Sequence, residues 1–192
     1  MPPSRLRAAR GFRAGRPAVG TTAPAQKGAL SWLGSPVLNP WRTAGLSGVG
    51  GFLIIFLLAQ LSTSLHAMLL IAPFGASCVL VFALPQSPLA QPRNLIGGHL
   101  ISSAVGLLVL TVLGPGPLSL GLAVGLAITA MQLTGTLHPP AGADPIVVIM
   151  AKAAWPFLFA PVLFGALTIV VLAAGYHRWI SKRSYPHRPA AV

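Results

Sequence analysis

The chain has 192 residues, of which 54% are hydrophobic and only 7% charged, whereas a soluble domain carries roughly a quarter charged residues. Thirteen Lys and Arg stand against a single acid, Asp144, for a formal net charge of +12. A water-facing globular surface cannot be built from this composition. A basic excess can also mark a nucleic-acid binder, because cationic surfaces release counterions from phosphates, but the placement of the charges argues against that partner here.

Residues 1–40 are rich in Arg, Pro, Ala and Gly, contain no acid and lack the apolar run of a secretory signal, so they read as a disordered basic tail. An organelle transit peptide would have a similar composition. Arg5, Arg7, Arg10, Arg13, Arg16, Lys27 and Arg42 precede the first apolar stretch, and Arg178, Lys182, Arg183 and Arg188 follow the last. Basic flanks stay cytoplasmic and contact anionic lipid head groups. Tails at 1–40 and 181–192 are therefore expected in the cytoplasm, around a membrane domain at 41–180.

Apolar stretches near 44–61, 66–84, 95–113, 118–134 and 156–176 contain no Lys, Arg, Asp or Glu, and each approaches the roughly 20 residues that cross a bilayer core. A charge at the bilayer centre costs about 2.5 to 3.5 kcal/mol on insertion scales, so such clean stretches suit lipid. Trp41 and Arg42 form an interfacial anchor before the first, and Pro73 with Gly75 interrupts the second. The loop "PQSPLAQPRN" follows, and "GPGP" at 114–117 is a tight turn. "HPPAGADPIVVIMA" (138–151) is too short for an ordinary span and predicts a short or re-entrant helix. Trp155, Tyr176 and Trp179 are expected in the aromatic belt. Cys78 is alone, so it forms no intrachain disulfide and is read as a small packing residue.

The halves resemble each other. "AQLSTSLH" (59–66) matches "MQLTGTLH" (131–138), and "PFGASCVLVF" (73–82) matches "PAGADPIVVI" (140–149) at an offset of 67 that also sets Gly98 on Gly165. Each half, 44–113 and 118–176, holds three apolar segments, and an odd number of crossings turns the second copy upside down. The expected fold is all-α: a polytopic transmembrane bundle of about six membrane-embedded segments, in two inverted three-helix repeats with short broken helices. Six crossings also place both basic ends and Arg93 in the cytoplasm, leaving Lys152 outside.

Proline is tolerated in the first turn of a helix, so His138, Pro139 and Pro140 read as the entry to a half-helix. The free amides of Gly142, Ala143 and Asp144 would point with the positive helix end into the membrane, where an anion could bind; Gly75, Ala76 and Ser77 offer the same in the first half. Small residues there also serve ordinary helix packing. Asp144, an acid inside a membrane segment, is read either as a cap on the half-helix or as a protonatable coupling group. His66, His99 and His138 could relay protons or hydrogen-bond at the interface. Arg93 could draw in anions or anchor to lipid phosphate. Gln60 and Gln132, matched in the repeat, are expected to point into the bundle. No spacing specifies a metal site, no cofactor is expected, and no serine elbow, phosphate loop or carboxylate pair marks an enzyme.

Three stretches, "LLIAPFGAS" (69–77), "SPLAQPRNLIGGHL" (87–100) and "LHPPAGADPIVV" (137–148), together resemble the HPP family of membrane proteins, named for a His-Pro-Pro signature that falls here on His138, Pro139 and Pro140. The resemblance implies a small multi-helix membrane domain, commonly described as four-spanning, in bacteria and plants, with plastid members linked to nitrite transport. Some members add a cytoplasmic C-terminal domain; none is expected after Trp179. The four-span description conflicts with six segments, and the broken helices near Pro73 and Pro140 account for the difference. The function expected is a transporter or channel for a small inorganic anion such as nitrite; the rival is a non-transporting scaffold or sensor. Membrane lipid, the anion and a second copy are the expected partners, in a bacterial inner membrane or an organelle membrane.

Overall fold

A computed structural model describes residues 39–187, so most of the two expected tails lies outside the described residues. Six α-helices are present among them: α1 (Pro40–Ser64), α2 (Ala72–Ala83), α3 (Pro92–Leu113), α4 (Pro117–Leu133), α5 (Asp144–Met150) and α6 (Phe164–Tyr176). Five carry proline in their first turn, where the missing N–H has no intrahelical partner to lose. Pro73 thus opens a helix where the sequence suggested an interruption. The last apolar stretch is likewise not one rod from 156: turns occupy Trp155–Leu163, with non-helical backbone at Ala160, and the regular helix begins at Phe164.

The chain order is long, short, long in each half, and the direction reverses between them. Tyr176 Oη, at the end of α6, donates to Leu46 O near the start of α1. Ser47 Oγ donates to Phe82 O at the end of α2, and Arg93 Nη2, at the start of α3, donates to Thr134 O just after α4. So α1 and α3 leave the same end that α2, α4 and α6 reach, and the two three-segment halves are inverted. Arg42, Arg93, Arg178, Lys182 and Arg183 gather at this basic end, while Lys152 follows α5 at the opposite one. At the basic end, Arg183 donates to Phe82 O and Ala83 O, placing a cation at the negative terminus of α2. Tyr185, whose phenol is pushed above its usual range by burial, donates to Ala90 O.

Neither short helix crosses alone, since 12 and 7 residues at about 1.5 Å each give roughly 18 and 10 Å against a core of about 30 Å. Non-helical backbone completes each pass: residues 65–71 lead into α2, and residues 134–138 with the 3-10 turn Pro139–Ala143 lead into α5. Both helices therefore begin inside the bundle.

Glycines set how the third helix of each half meets the other half. A Cβ on Gly98 (α3) would lie 2.6 Å from His138 Cβ and 3.0 Å from Thr136 O; one on Gly165 (α6) would meet the Phe74 ring and lie 3.2 Å from Leu69 O. Each repeat's last helix thus packs on the non-helical stretch of the other, through the two glycines paired by the 67-residue offset. Gly106 does the same for α3 on α5, where a Cβ would lie 2.8 Å from Pro145 Cα. Gly75 and Gly142, by contrast, face open space. Phe52, Phe56, Val112, Leu118 and Val171 are among many exposed apolar side chains, the surface a bilayer covers.

Overpacking a tight core costs about 1–3 kcal/mol. Gly98→Ala and Gly165→Ala are accordingly expected to lower the melting temperature and yield of detergent-purified protein, whereas Gly142→Ala leaves both unchanged. Equal effects at all three positions would contradict the packing described.

Candidate functional site

Asn94, His99, Ser102 and Ser103 lie within one apolar helix, α3, and the last three fall at i, i+3 and i+4, on a single face. That face meets the non-helical stretch of the second half. Asn94 Nδ2 donates to Leu137 O (2.9 Å), so a backbone carbonyl outside helical pairing finds its donor on a neighbouring helix, and Ser102 Oγ adds a second donor (2.6 Å) to Ala141 O, which also accepts from Asp144 N.

His99 stands at the centre. Its Nδ1 is 2.7 Å from Asp144 Oδ2, to which Ser103 Oγ also donates at 3.3 Å. Its Nε2 is 2.8 Å from Ser77 Oγ, and the same hydroxyl is 2.9 Å from His138 Nε2. His138 Nδ1 donates to Leu89 O at 2.8 Å, because a carbonyl can only accept. The result is one continuous chain, Asp144–His99–Ser77–His138–Leu89 O. Its four side chains are all 0% exposed. The Phe74 ring meets the His99 imidazole edge-on, centroids 5.1 Å apart, and walls off one side. Asp144 Oδ1 is buried without any partner.

His99 is seven residues into α3, about 10 Å from the basic end at 1.5 Å per residue. The chain therefore lies between that end and the middle of the bundle. Leu89 belongs to the 3-10 turn Pro88–Ala90 in the loop between α2 and α3, which closes the site from that side.

Asp, His and Ser in this order have the connectivity that activates a serine nucleophile in hydrolases. Here the hydroxyl is saturated. Ser77 Oγ is bonded to Cβ and approached by His99 Nε2, His138 Nε2 and, at 3.2 Å, Pro73 O. Those four neighbours crowd the oxygen and obstruct the approach of a carbonyl carbon.

Comparison with known proteins gives a family. The family profile described as "HPP, transmembrane region" matches residues 36–186. The chain belongs to the HPP transmembrane family. Two transmembrane proteins of Dictyostelium discoideum are similar to it: one is 37% identical over 79% of this chain and 53% of its own length, the other 36% identical over 81% and 60%. The chain thus spans between half and two thirds of these relatives. No solved structure matches it.

In this HPP domain the signature His138 joins Ser77, His99 and Asp144, so four of the residues expected from the sequence come together. The remainder are placed elsewhere. Gln60 and Gln132 are exposed rather than turned into the bundle. His66 is exposed in the turn after α1, at φ 48°; its counterpart by position is Gly135 (φ 63°), not His138. Those residues close equivalent turns, with Ala67 N donating to Ser62 O and Thr136 N to Met131 O, the geometry of a Schellman helix end. Arg93 spends its guanidinium on Thr134 O. Asp144 makes no capping bond to its helix; His99 and Ser103 hold it instead. Pro140 is buried, while Pro139, Ala76 and Ala143 line an apolar groove of about 700 Å³ between the two short helices. Gly75 and Gly142 have no close neighbour, so close approach is not their role. Tyr176 is buried and hydrogen-bonded, not part of a belt, unlike the exposed Trp155 and Trp179.

Asn94, Ser102, Ser103 and the Leu89 carbonyl escaped the sequence reading. The spacing of His99, Ser102 and Ser103 was the available signal for three polar groups on one face of a span.

Removing one partner of a buried hydrogen bond costs about 1–3 kcal/mol. Ser102→Ala takes away one of the two donors to Ala141 O, the Asp144 N–H remaining, and is expected to destabilise the domain by the lower end of that range in thermal unfolding. Thr168→Ala removes only a bond to Phe164 O in its own helix and should shift stability by less than about 0.5 kcal/mol; the reverse order would refute the assignment.

Proposed function

We propose that this HPP domain transports a small inorganic anion across the membrane, nitrite in first place, at a site between the two broken passes. The observation that carries the reading is the inverted pair of interrupted helices, both beginning inside the bundle beside a buried polar chain. Secondary transporters build substrate sites in this way, because helix starts leave unpaired amides and a positive dipole end at depth. The amides of Ala72 and Gly75 at the start of α2 supply donors to an anion, joined by His138 Nδ1–H once Leu89 O moves away from it. The only acid of the chain is engaged with His99.

Access on this reading comes from the basic end, through movement of the loop that presents Leu89 O to His138. Five basic residues at that end raise the local anion concentration. The positive-inside tendency supports a cytoplasmic position for this end; on our reading the membrane is a bacterial inner membrane, with lipid and a second copy as the remaining partners.

One observation favours the rival, a non-transporting scaffold or sensor: the chain from Asp144 to Leu89 is closed and bonded at nearly every atom, as a purely structural network would be. Nitrite uptake into proteoliposomes separates the two. Saturable uptake is expected, with the initial rate in His138→Ala at least about tenfold lower, or roughly 1.4 kcal/mol in barrier. Flux no higher than in protein-free vesicles, for protein shown to be folded, would favour the scaffold.

A further inference from the structure

The hydrogen bonds of the buried chain can be counted in protons. Four contacts of 2.7–2.9 Å link Asp144 Oδ2 to His99 Nδ1, His99 Nε2 to Ser77 Oγ, Ser77 Oγ to His138 Nε2, and His138 Nδ1 to Leu89 O; the longer contact from Ser77 Oγ to Pro73 O, at 3.2 Å, makes a further claim on the one hydroxyl proton and adds none. Each of the four needs one proton between its two heavy atoms. The last must be carried by His138 Nδ1, since Leu89 O has none to give. With Asp144 as carboxylate and both imidazoles neutral, the supply is one proton on His99, one on His138 and the Ser77 hydroxyl proton. Three protons cannot fill four contacts. Two Nε2 lone pairs would then face one hydroxyl, and one of two distances below 3 Å would have no proton in it.

A fourth proton completes the chain in one direction. His99 Nε2–H donates to Ser77 Oγ, Ser77 Oγ–H donates to His138 Nε2, and His138 Nδ1–H donates to Leu89 O. The Asp144–His99 pair then holds two protons, as carboxylate with imidazolium or as carboxylic acid with neutral imidazole, and the tetrad has no net charge. Without that proton it bears one negative charge in the protein interior, part of it on Asp144 Oδ1, which has no donor. A buried charge without a partner is the costly state.

We propose that Asp144, His99, Ser77 and His138 form the binding site of one exchangeable proton, shared by the Asp144–His99 pair and reported along the chain to Leu89. If the transport reading above holds, this proton is the coupling ion: loading it cancels the negative charge that would repel an incoming anion, so proton and anion travel together.

Within the described residues no other titratable group reaches this chain. From α2 comes Ser77, while its Cys78 packs towards Gly51 of α1. From α3, Arg93 is held by Thr134 O two turns before His99. The α4 residue at this level is Met131, beside Gly98, and α6 reaches Phe74 through Gly165. His177, Arg183 and Tyr185 are bound to Val81, Phe82, Ala83 and Ala90 carbonyls towards the basic end.

Because Asp144 is the only acid in the sequence, a carboxyl ¹³C label on aspartate reports it alone. Solid-state NMR of the full chain in lipid, with ¹⁵N-labelled histidine and His99→Gln and His138→Gln for assignment, then counts protons on the pair at a series of pH values. Two protons at the acidic limit and one at the alkaline limit are expected. Asp144→Asn should fold, because its amide N–H donates to His99 Nδ1 and fixes Nε2–H towards Ser77, but should show no such change. His138→Gln should keep it, because the amide can accept from Ser77 and donate to Leu89 O. A single proton on the pair throughout, or two throughout, would overturn the exchangeable site. In proteoliposomes a proton should enter with each nitrite, and Asp144→Asn should abolish that proton movement. Titration without nitrite flux would leave the proton site standing and remove the transport reading; flux without titration would do the opposite.

Discussion

Water is absent from the bilayer core, so a backbone that leaves helical pairing there has to find its hydrogen-bond partners within the protein. Three of the six membrane segments meet this condition, at residues 65–71, at 134–138 and around Ala160. The second is served by α3, whose Asn94 and Ser102 donate to Leu137 O and Ala141 O. That helix is consequently not the uniform apolar rod its hydropathy suggests; it carries a polar stripe because its neighbour is interrupted. His99 and Ser103 extend the same stripe to the side chain of Asp144.

The interruption also explains the glycines. A helix can lie close enough to an extended strand to hydrogen-bond its carbonyls only where no Cβ intervenes. Gly98 and Gly165 provide that approach, each for the other repeat. The packing is thus shared between the halves, but the chemistry is not. At the 67-residue offset, Ser77 and Asp144 are equivalents and both bind His99, from its two ring nitrogens. The equivalent of His99 itself is Ala166 and that of His138 is Ile71, both buried and apolar. A symmetrical scaffold therefore holds one polar centre, offset towards the basic end.

That centre combines groups familiar from catalysis with a geometry unsuited to it. Ser77 is bridged by two imidazoles and its hydroxyl is engaged by them and by Pro73 O, which obstructs its use as a nucleophile. What the arrangement does offer is a directed series of donors and acceptors in a buried interior, where one proton decides between a neutral and a charged core. Low dielectric makes such a difference large, which links the proton content of the site to any anion that comes near it.

Much of the architecture was legible in the sequence because it rests on local properties. Hydropathy marked the lipid-facing segments, the positions of Arg and Lys marked the ends, proline in a first turn marked where helices begin, and the 67-residue offset marked the repeat. His99, His138 and Asp144 stood out as ionisable groups in apolar surroundings, and Ser77 through its place in the repeat. Their meeting could not be read, since Ser77 and His138 are 61 positions apart and contact depends on how closely α3 and the second broken pass approach. The same holds for Gln60 and Gln132, whose outward direction is set by helix rotation, and for Ser102, whose partner is a backbone carbonyl that no residue type reveals. Composition and periodicity decided what lies in the membrane; the glycine contacts, which set distances between remote segments, decided which polar groups share a proton.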